Sequence, residues 1–267
     1  MDAREFYDEL GSDYDLMVSW EQRLAREEQF FRGLFSQKGC RRVLDAACGT
    51  GMHAVSFARA GLESIGADLS AAMVEKAREN ARAAGVQVRF ETAGFGELAA
   101  RVGTGFDAAT CLGNSLPHLL DDASLDTCLL DFFHLLAPGG LLVIQNRNYD
   151  RLLRERQRFM PPAARPEADG ETLFLRITEF PPVGARNDEA VSFTILTLKK
   201  RDGAWSMSER TTPLRALRRA TLKAALERAG FTSVRVYGSY AQQPFDAPGT
   251  ADLVIVAERV QRVAASG

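Results

Sequence analysis

Asp45-Ala46-Ala47-Cys48-Gly49-Thr50-Gly51 is the stretch that decides how this chain folds. It ends a short apolar run, residues 41–47, and leads into a helical pattern over 53–60 that stops at Gly61. A glycine-rich turn between strand and helix is where a nucleotide-type ligand meets a doubly wound sheet, because glycine lets the backbone approach the ligand closely. Outward from this turn the alternation continues. Residues 64–68 read as a strand, and Ser70 caps a helix over 71–84 closed by Gly85. Residues 86–91 alternate apolar and polar side chains as a strand does. A strand over 105–112 ends at Gly113, a helix over 121–137 ends at Pro138-Gly139-Gly140, and a strand follows over 141–145. Five strands separated by helices within about 110 residues indicate βαβ units and a parallel sheet.

The flanks differ in character. Residues 1–36 read as amphipathic helix ending near Gly39. After residue 150 the chain becomes polar and proline-rich, with Pro161-Pro162 and Pro181-Pro182. Strand patterns over 171–180, 190–200 and 204–212, the last two joined by Arg201-Asp202-Gly203, form a hairpin-linked meander. Such a meander is foreign to a doubly wound core and reads as an inserted cap. A helix over 217–229 and strands over 234–237 and 253–257 then complete the core. The expected class is α/β: a doubly wound, mostly parallel seven-stranded sheet with an N-terminal helical lid (1–38), a ligand-binding core (39–150), an antiparallel β cap (151–215) and a closing segment (216–267).

Composition narrows the function. The 267 residues carry 33 Lys and Arg against 35 Asp and Glu, so the net charge is −2 and the basic excess of a nucleic-acid binder is missing. No apolar run approaches the roughly 18 residues of a membrane span. The acidic start, MDAREFYDELGSDYD, has no signal core, so a cytoplasmic location is expected. Cys40, Cys48, Cys111 and Cys128 form no CxxC pair, and the three histidines form no HExxH, so no metal site is expected.

Gly49-x-Gly51-x-x-Ala54 also satisfies a dinucleotide fingerprint. Asp45 separates the two candidate ligands. A carboxylate within a turn of the loop repels a diphosphate by about 1–4 kcal/mol at about 4 Å, depending on the local dielectric. It favours a cation, and S-adenosylmethionine carries a sulfonium and an ammonium with no phosphate. Asp68 ends the next strand, where an acidic side chain accepts ribose hydroxyls from either ligand.

With these residues in place the chain resembles the class I S-adenosylmethionine-dependent methyltransferases. The likeness covers about residues 40–147: DAACGTG at 45–51, GADLS at 66–70, ETAGF at 91–95, FDAATCLGNS at 106–115 and LAPGGLLVI at 136–144. The stretches LGNSLPHL at 112–119 and NRNYD at 146–150, with Trp20-Glu21-Gln22-Arg23 upstream, are similar to the glycine and glycine/sarcosine N-methyltransferase group.

The resemblance implies roles. Backbone at Ala47 and Gly49 would line the methionine tail of the cofactor, and Arg23 would reach its carboxylate. Asp68 would hold the ribose, Met73 and Phe95 would sandwich the adenine, and Gly94 would face its amino edge. Leu112 and His118 would close the cofactor pocket, with Tyr7 and Tyr14 in a lid. Arg147 would bind a substrate carboxylate and Asn114 would help to place the amine. Each residue also has a plain structural reading: Met73 and Phe95 as core, Arg23 as a solvated charge, His118 as a satisfied histidine, and Arg147 paired to Asp150 or an acidic cap residue. Arg147 follows an apolar strand and so emerges at the ligand-binding edge, where its planar fork suits a carboxylate.

The implied activity is methyl transfer from S-adenosylmethionine, leaving S-adenosylhomocysteine, to the amine of a small carboxylate-bearing molecule. An amino sugar or a hydroxyl acceptor is the alternative, an NAD-dependent oxidoreductase a distant one, and a silent cofactor binder a third. The cap departs from the group: VSFTILTL at 191–198 carries no tyrosine, which leaves Tyr237 and Tyr240 to supply hydroxyls.

Overall fold

The computed structural model describes residues 1–11 and 13–260. Three helices come first: α1 (Ala3–Leu10), α2 (Asp13–Met17) and α3 (Trp20–Lys38). The core follows as β1 (Arg42–Ala46), α4 (Met52–Arg59), β2 (Glu63–Asp68), α5 (Ala71–Ala84), β3 (Arg89–Thr92), α6 (Leu98–Val102), β4 (Phe106–Cys111), α7 (Asp122–Leu135), β5 (Leu136–Arg147) and α8 (Tyr149–Glu155). A second sheet is made of β6 (Ala163–Glu167), β7 (Gly170–Glu179), β8 (Ala190–Arg201) and β9 (Ala204–Arg215). Helix α9 (Arg219–Arg228), β10 (Phe231–Tyr237) and β11 (Asp252–Arg259) return to the core.

The main sheet has seven strands in the order β10-β11-β5-β4-β1-β2-β3, with β11 antiparallel to both of its neighbours. Its central strands read as near-continuous apolar runs because helices cover both faces. On one face α7 and α9 bury Leu125, Leu129, Phe132, Leu222 and Leu226 against Leu44, Ile144 and Ile255. On the other, α3 buries Phe30, Phe31 and Phe35 against Val43, Val143 and Val254. Strand order reverses between β1 and β4, and the C-terminal ends of these two strands open the crevice in which such sheets bind ligands.

The expected α/β class, the seven-stranded sheet and the antiparallel cap are all present. The differences are local. The helical N-terminal segment is divided into three helices: Gly11, at φ +46°, ends α1, and α3 serves as a covering layer of the sheet. The capping box between Asp2 and Glu5 starts α1. The cap has four strands rather than three. Its extra strand, β6, contains Pro166 and lies at the sheet edge, the position that tolerates a residue lacking an N–H. Strand β5 begins at Leu136 and runs through Pro138-Gly139-Gly140, at an irregularity in its pairing with β4. Among the described residues no helix is long and apolar enough to cross a membrane.

Candidate active site

The loop after β1 folds back on itself. Ala47, Gly49 and Gly51 have φ of +52°, +53° and +77°. Gly51 is needed for space as well as for its dihedral, because a Cβ there would stand 2.7 Å from Ala77 Cβ and 2.8 Å from the Phe90 ring. The Gly49 N–H donates to Asp68 Oδ2 at 2.7 Å and the Ser70 N–H donates to Oδ1 at 3.0 Å, so the Asp68 carboxylate ties the ends of β1 and β2 together. Burial outweighs these two bonds and pushes the Asp68 carboxyl up to about 6. Each oxygen retains acceptor capacity for a ligand.

Asp45 stands at the end of β1, fully buried. Its Oδ1 accepts from Thr110 Oγ1 at 2.8 Å, and its Oδ2 is buried with no hydrogen-bond partner. Burial raises its carboxyl above the ordinary range. An unmatched buried carboxylate oxygen costs about 1–3 kcal/mol, more if charged, until a donor or cation meets it.

These residues wall a chamber of about 330 Å³. Its floor is Asp45, Ala47, Cys48, Gly49 and Asp68, and its far side is Leu69, Gly94, Phe95 and Leu98. Its roof is the α1–α2 segment. Asp8 of α1 accepts from Ser70 Oγ. Asp15 of α2 accepts from Thr50 Oγ1, from Asn80 Nδ2 at 3.0 Å and from Trp20 Nε1 at 2.7 Å. The Tyr7 hydroxyl lies 3.2 Å from His118 Nε2. Burial lowers His118 to about 4 and raises Tyr7 and Tyr14, so all three are neutral near pH 7.

A second chamber of about 560 Å³ adjoins the first and shares Tyr7, Tyr14, Arg23, Gly113 and His118 with it. Its base is the end of β5. Asn114, at φ +70°, accepts the Arg147 N–H at 3.0 Å through Oδ1 and donates from Nδ2 to the Tyr149 hydroxyl at 3.0 Å, fastening β4 to β5. The Gly113 N–H donates to Gln145 Oε1 at 2.8 Å, and Gln145 Nε2 donates to Asp252 Oδ1 at 2.9 Å. The Arg147 side chain reaches the cap, where Nη1 donates to Thr178 Oγ1 at 3.1 Å. Asp150 is not its partner, since Asp150 Oδ2 accepts the Arg219 N–H at 3.0 Å. Arg23 joins the two chambers. Its Nε bonds Glu27 Oε1 at 3.0 Å, Glu27 in turn meets His53 Nε2 at 2.6 Å, and its Nη atoms stand so near Gly113 that a Cβ there would lie 3.6 Å from Nη2.

Residues 43–140 match the family described as Methyltransferase domain. The chain is 36% identical over 151 residues to the glycine/sarcosine N-methyltransferase of Halorhodospira halochloris, a stretch that is 57% of this chain and 56% of that protein. Residues 43–140 belong to that domain family. The fold of the chain recurs in an S-adenosylmethionine-dependent methyltransferase from Clostridium acetobutylicum, with TM-score 0.75 and 17% identity over 96% of this chain and 97% of that one. It recurs also in a SAM-bound amino pentose methyltransferase from Micromonospora echinaspora, with TM-score 0.67 and 22% identity over 91% and 92%. The chain spans about half the length of the curated relatives it matches.

The first chamber fits a sulfonium nucleoside by its own chemistry. Three carboxylates, Asp45, Asp68 and Glu97, line the space beside Arg4 and Arg23, one of the three (Asp45) with an orphaned oxygen, and the aromatic rings of Tyr7, Tyr14 and Phe95 complete its walls. Of the residues singled out from sequence, Tyr14, Arg23, Ala47, Gly49, Asp68, Gly94, Phe95, Leu112 and His118 all line this chamber. Asn114 and Arg147 line the second. Met73 lines neither: it is buried among Phe6, Leu10 and Phe174 beneath the lid, and Leu69 holds the wall beside Asp68 instead. Tyr240 reaches the second chamber with a buried, unpartnered hydroxyl, whereas Tyr237 packs against Phe30. Sequence reasoning passed over Arg176 of β7, which also lines the second chamber.

Proposed function

We propose that this chain transfers a methyl group from S-adenosylmethionine, held in the first chamber, to the amine of a small carboxylate-bearing acceptor held in the second. The observation that carries this reading is Arg147. It lies at the ligand-binding edge of the sheet, in the chamber next to the cofactor space, and among the described residues no carboxylate lies within 4 Å of it. A guanidinium with no carboxylate in ion-pair contact and offering a planar fork is matched by an acceptor carboxylate.

S-adenosylmethionine supplies a methyl group already activated on a sulfonium. The residues then have three tasks. Arg147, held through its own N–H by Asn114, fixes one end of the acceptor so that its amine lies along the passage shared by the two chambers. Orientation of this kind accounts for about 7–11 kcal/mol of a bimolecular barrier. Asp45 and Asp68 favour a cation in the first chamber, and His118, kept neutral by burial, adds no opposing charge beside it. The lid, latched by Asp8 and Asp15, excludes water.

The test is incubation with isotopically labelled donor and a pooled amine library, read by mass spectrometry. Label on a carboxylate-bearing amine, lost in Arg147→Gln, supports the reading; label that persists undiminished in that variant overturns carboxylate recognition. Methylation of an amino sugar is the second reading, favoured by a chamber of about 560 Å³, far more than glycine needs. The same library separates the two.

A further inference from the structure

The second chamber holds a charge that glycine would leave unanswered. Side chains on a strand alternate between its faces, so Phe174, Arg176 and Thr178 of β7 share one face, each about 7 Å from the next. Phe174 is fully buried against Phe6 and Leu10 of the lid, and Thr178 is buried against Arg147. That face therefore points inward, and Arg176 between them lies on the chamber wall. Its Nη2 donates to the Pro161 carbonyl at 3.1 Å, its Nε is buried with no partner, and among the described residues no carboxylate lies within 4 Å. The other charges facing the chamber do not answer it. Glu27 is taken by Arg23 and His53, Asp252 is held by Gln145, and Arg26 adds a further positive group. Arg176 is half-buried, its Nε is buried and unmatched, and Arg147 nearby adds a like charge, so an anion reaching this pair is favoured. Burial and then the Arg147 charge both act against protonation of Arg176.

We propose that Arg176 and Arg147 together form a two-anion clamp, so that the acceptor is an amine bearing two anionic groups, one on each arginine. This rests on the reading of Arg147 and of methyl transfer given above, and narrows it. The second group is a carboxylate or a phosphate, since either meets a guanidinium through paired oxygens. The chamber volume fits an acceptor of this size better than it fits glycine.

The test is calorimetric binding of glycine, L-aspartate, L-glutamate and O-phosphoserine to the full chain loaded with S-adenosylhomocysteine, using the unaltered protein, Arg176→Gln and Arg176→Lys. Affinity for S-adenosylhomocysteine verifies that each variant is folded. At least one dianionic probe is expected to bind tenfold or more tightly than glycine. Arg176→Gln is expected to cut that ratio at least tenfold, and Arg176→Lys to restore part of it. Aspartate or glutamate ahead of phosphoserine identifies a carboxylate, and the reverse order a phosphate. Glycine binding as tightly as every dianionic probe, a ratio unmoved in Arg176→Gln, or no probe binding at all overturns the clamp. Mass-spectrometric turnover of the same probes separates the two levels. Methylated glycine without dianion preference removes the clamp alone. Bound S-adenosylhomocysteine with no amine methylated removes the parent reading as well.

Discussion

With Asp68 in the ribose-holding role that the resemblance implies, cofactor affinity is expected to depend on pH in a set direction. The Asp68 carboxyl is pushed up to about 6, and only the anion accepts hydrogen bonds from two ribose hydroxyls without a proton in the way. At about pH 5 roughly one molecule in ten has Asp68 ionised, so affinity for S-adenosylhomocysteine is expected to be about tenfold weaker than at pH 8, or about 1.4 kcal/mol. His118, lowered to about 4, stays neutral over this range and contributes nothing to the slope. Asp45, also raised by burial, acts in the same direction, so the Asp68→Asn variant is needed to isolate the Asp68 share. That variant should bind at least tenfold more weakly at pH 8 and show a shallower slope. The empty protein runs the opposite way. A carboxyl whose folded pKa lies above its unfolded value of about 3.9 favours the protonated fold, so its contribution is present below about pH 4 and is lost as pH rises through about 6, a change of about 3 kcal/mol. Urea unfolding without ligand and calorimetry with it measure the two slopes. Affinity that is flat from pH 5 to 8 in the unaltered protein, or an Asn variant with unchanged affinity and slope, refutes the reasoning.

Gly51→Ala places a methyl 2.7 Å from Ala77 Cβ at φ +77°, and left-handed strain of about 1–2 kcal/mol with overpacking of about 1–3 predicts a loss of roughly 2–5 kcal/mol by urea unfolding. Arg147→Gln should raise the acceptor KM at least tenfold while affinity for S-adenosylhomocysteine is retained, and Arg147→Lys should fall between, since a point charge replaces a planar fork; steady-state kinetics and calorimetry check both. Asp15→Ala leaves Thr50 and Trp20 without their acceptor and Asn80 with only the Thr50 carbonyl, at about 1–3 kcal/mol for each buried donor left unmatched. Hydrogen exchange should then quicken across α1 and α2 while the β1 amides stay protected.

The core was legible because its signals are local. The turn at Asp45–Gly51, the Ser70 cap and the Gly85 stop each fix one boundary by backbone chemistry alone, and β1, β2, β4 and α5 lie where those residues put them. Features whose causes lie elsewhere in the chain were not legible. The break at Gly11 hides inside an amphipathic pattern, because α1 and α3 bury apolar residues at similar spacing against different partners. Met73 has the apolar character expected of an adenine wall, but its neighbours Phe6 and Phe174 come from α1 and β7, and only their arrival decides that Met73 faces them and Leu69 faces the chamber. The sequence reading placed Arg147 at the sheet edge from its strand alone. It could not show that the arginine is free of Asp150, since the competitor for that carboxylate is a backbone N–H at Arg219.

Arg176 shows this limit most sharply, and it also shows which information was missing. Period-two alternation in ETLFLRITEF already places Phe174, Arg176 and Thr178 on one face, and a single arginine between an aromatic and a threonine reads as an ordinary solvated position on an antiparallel strand. What reverses that reading is which face of β7 turns toward the core. The lid settles it: Phe6 and Leu10 cover Phe174, and that contact swings the whole face, Arg176 included, toward the end of β5. The lid that roofs the first chamber therefore also sets the charge of the second. A change in α1 that loosens Phe6 is expected to weaken discrimination among acceptors as well as retention of the cofactor. Phe6→Ala measured against glycine and a dianionic amine tests that coupling. Loss of cofactor affinity with the acceptor ratio intact would show that β7 holds its orientation without the lid.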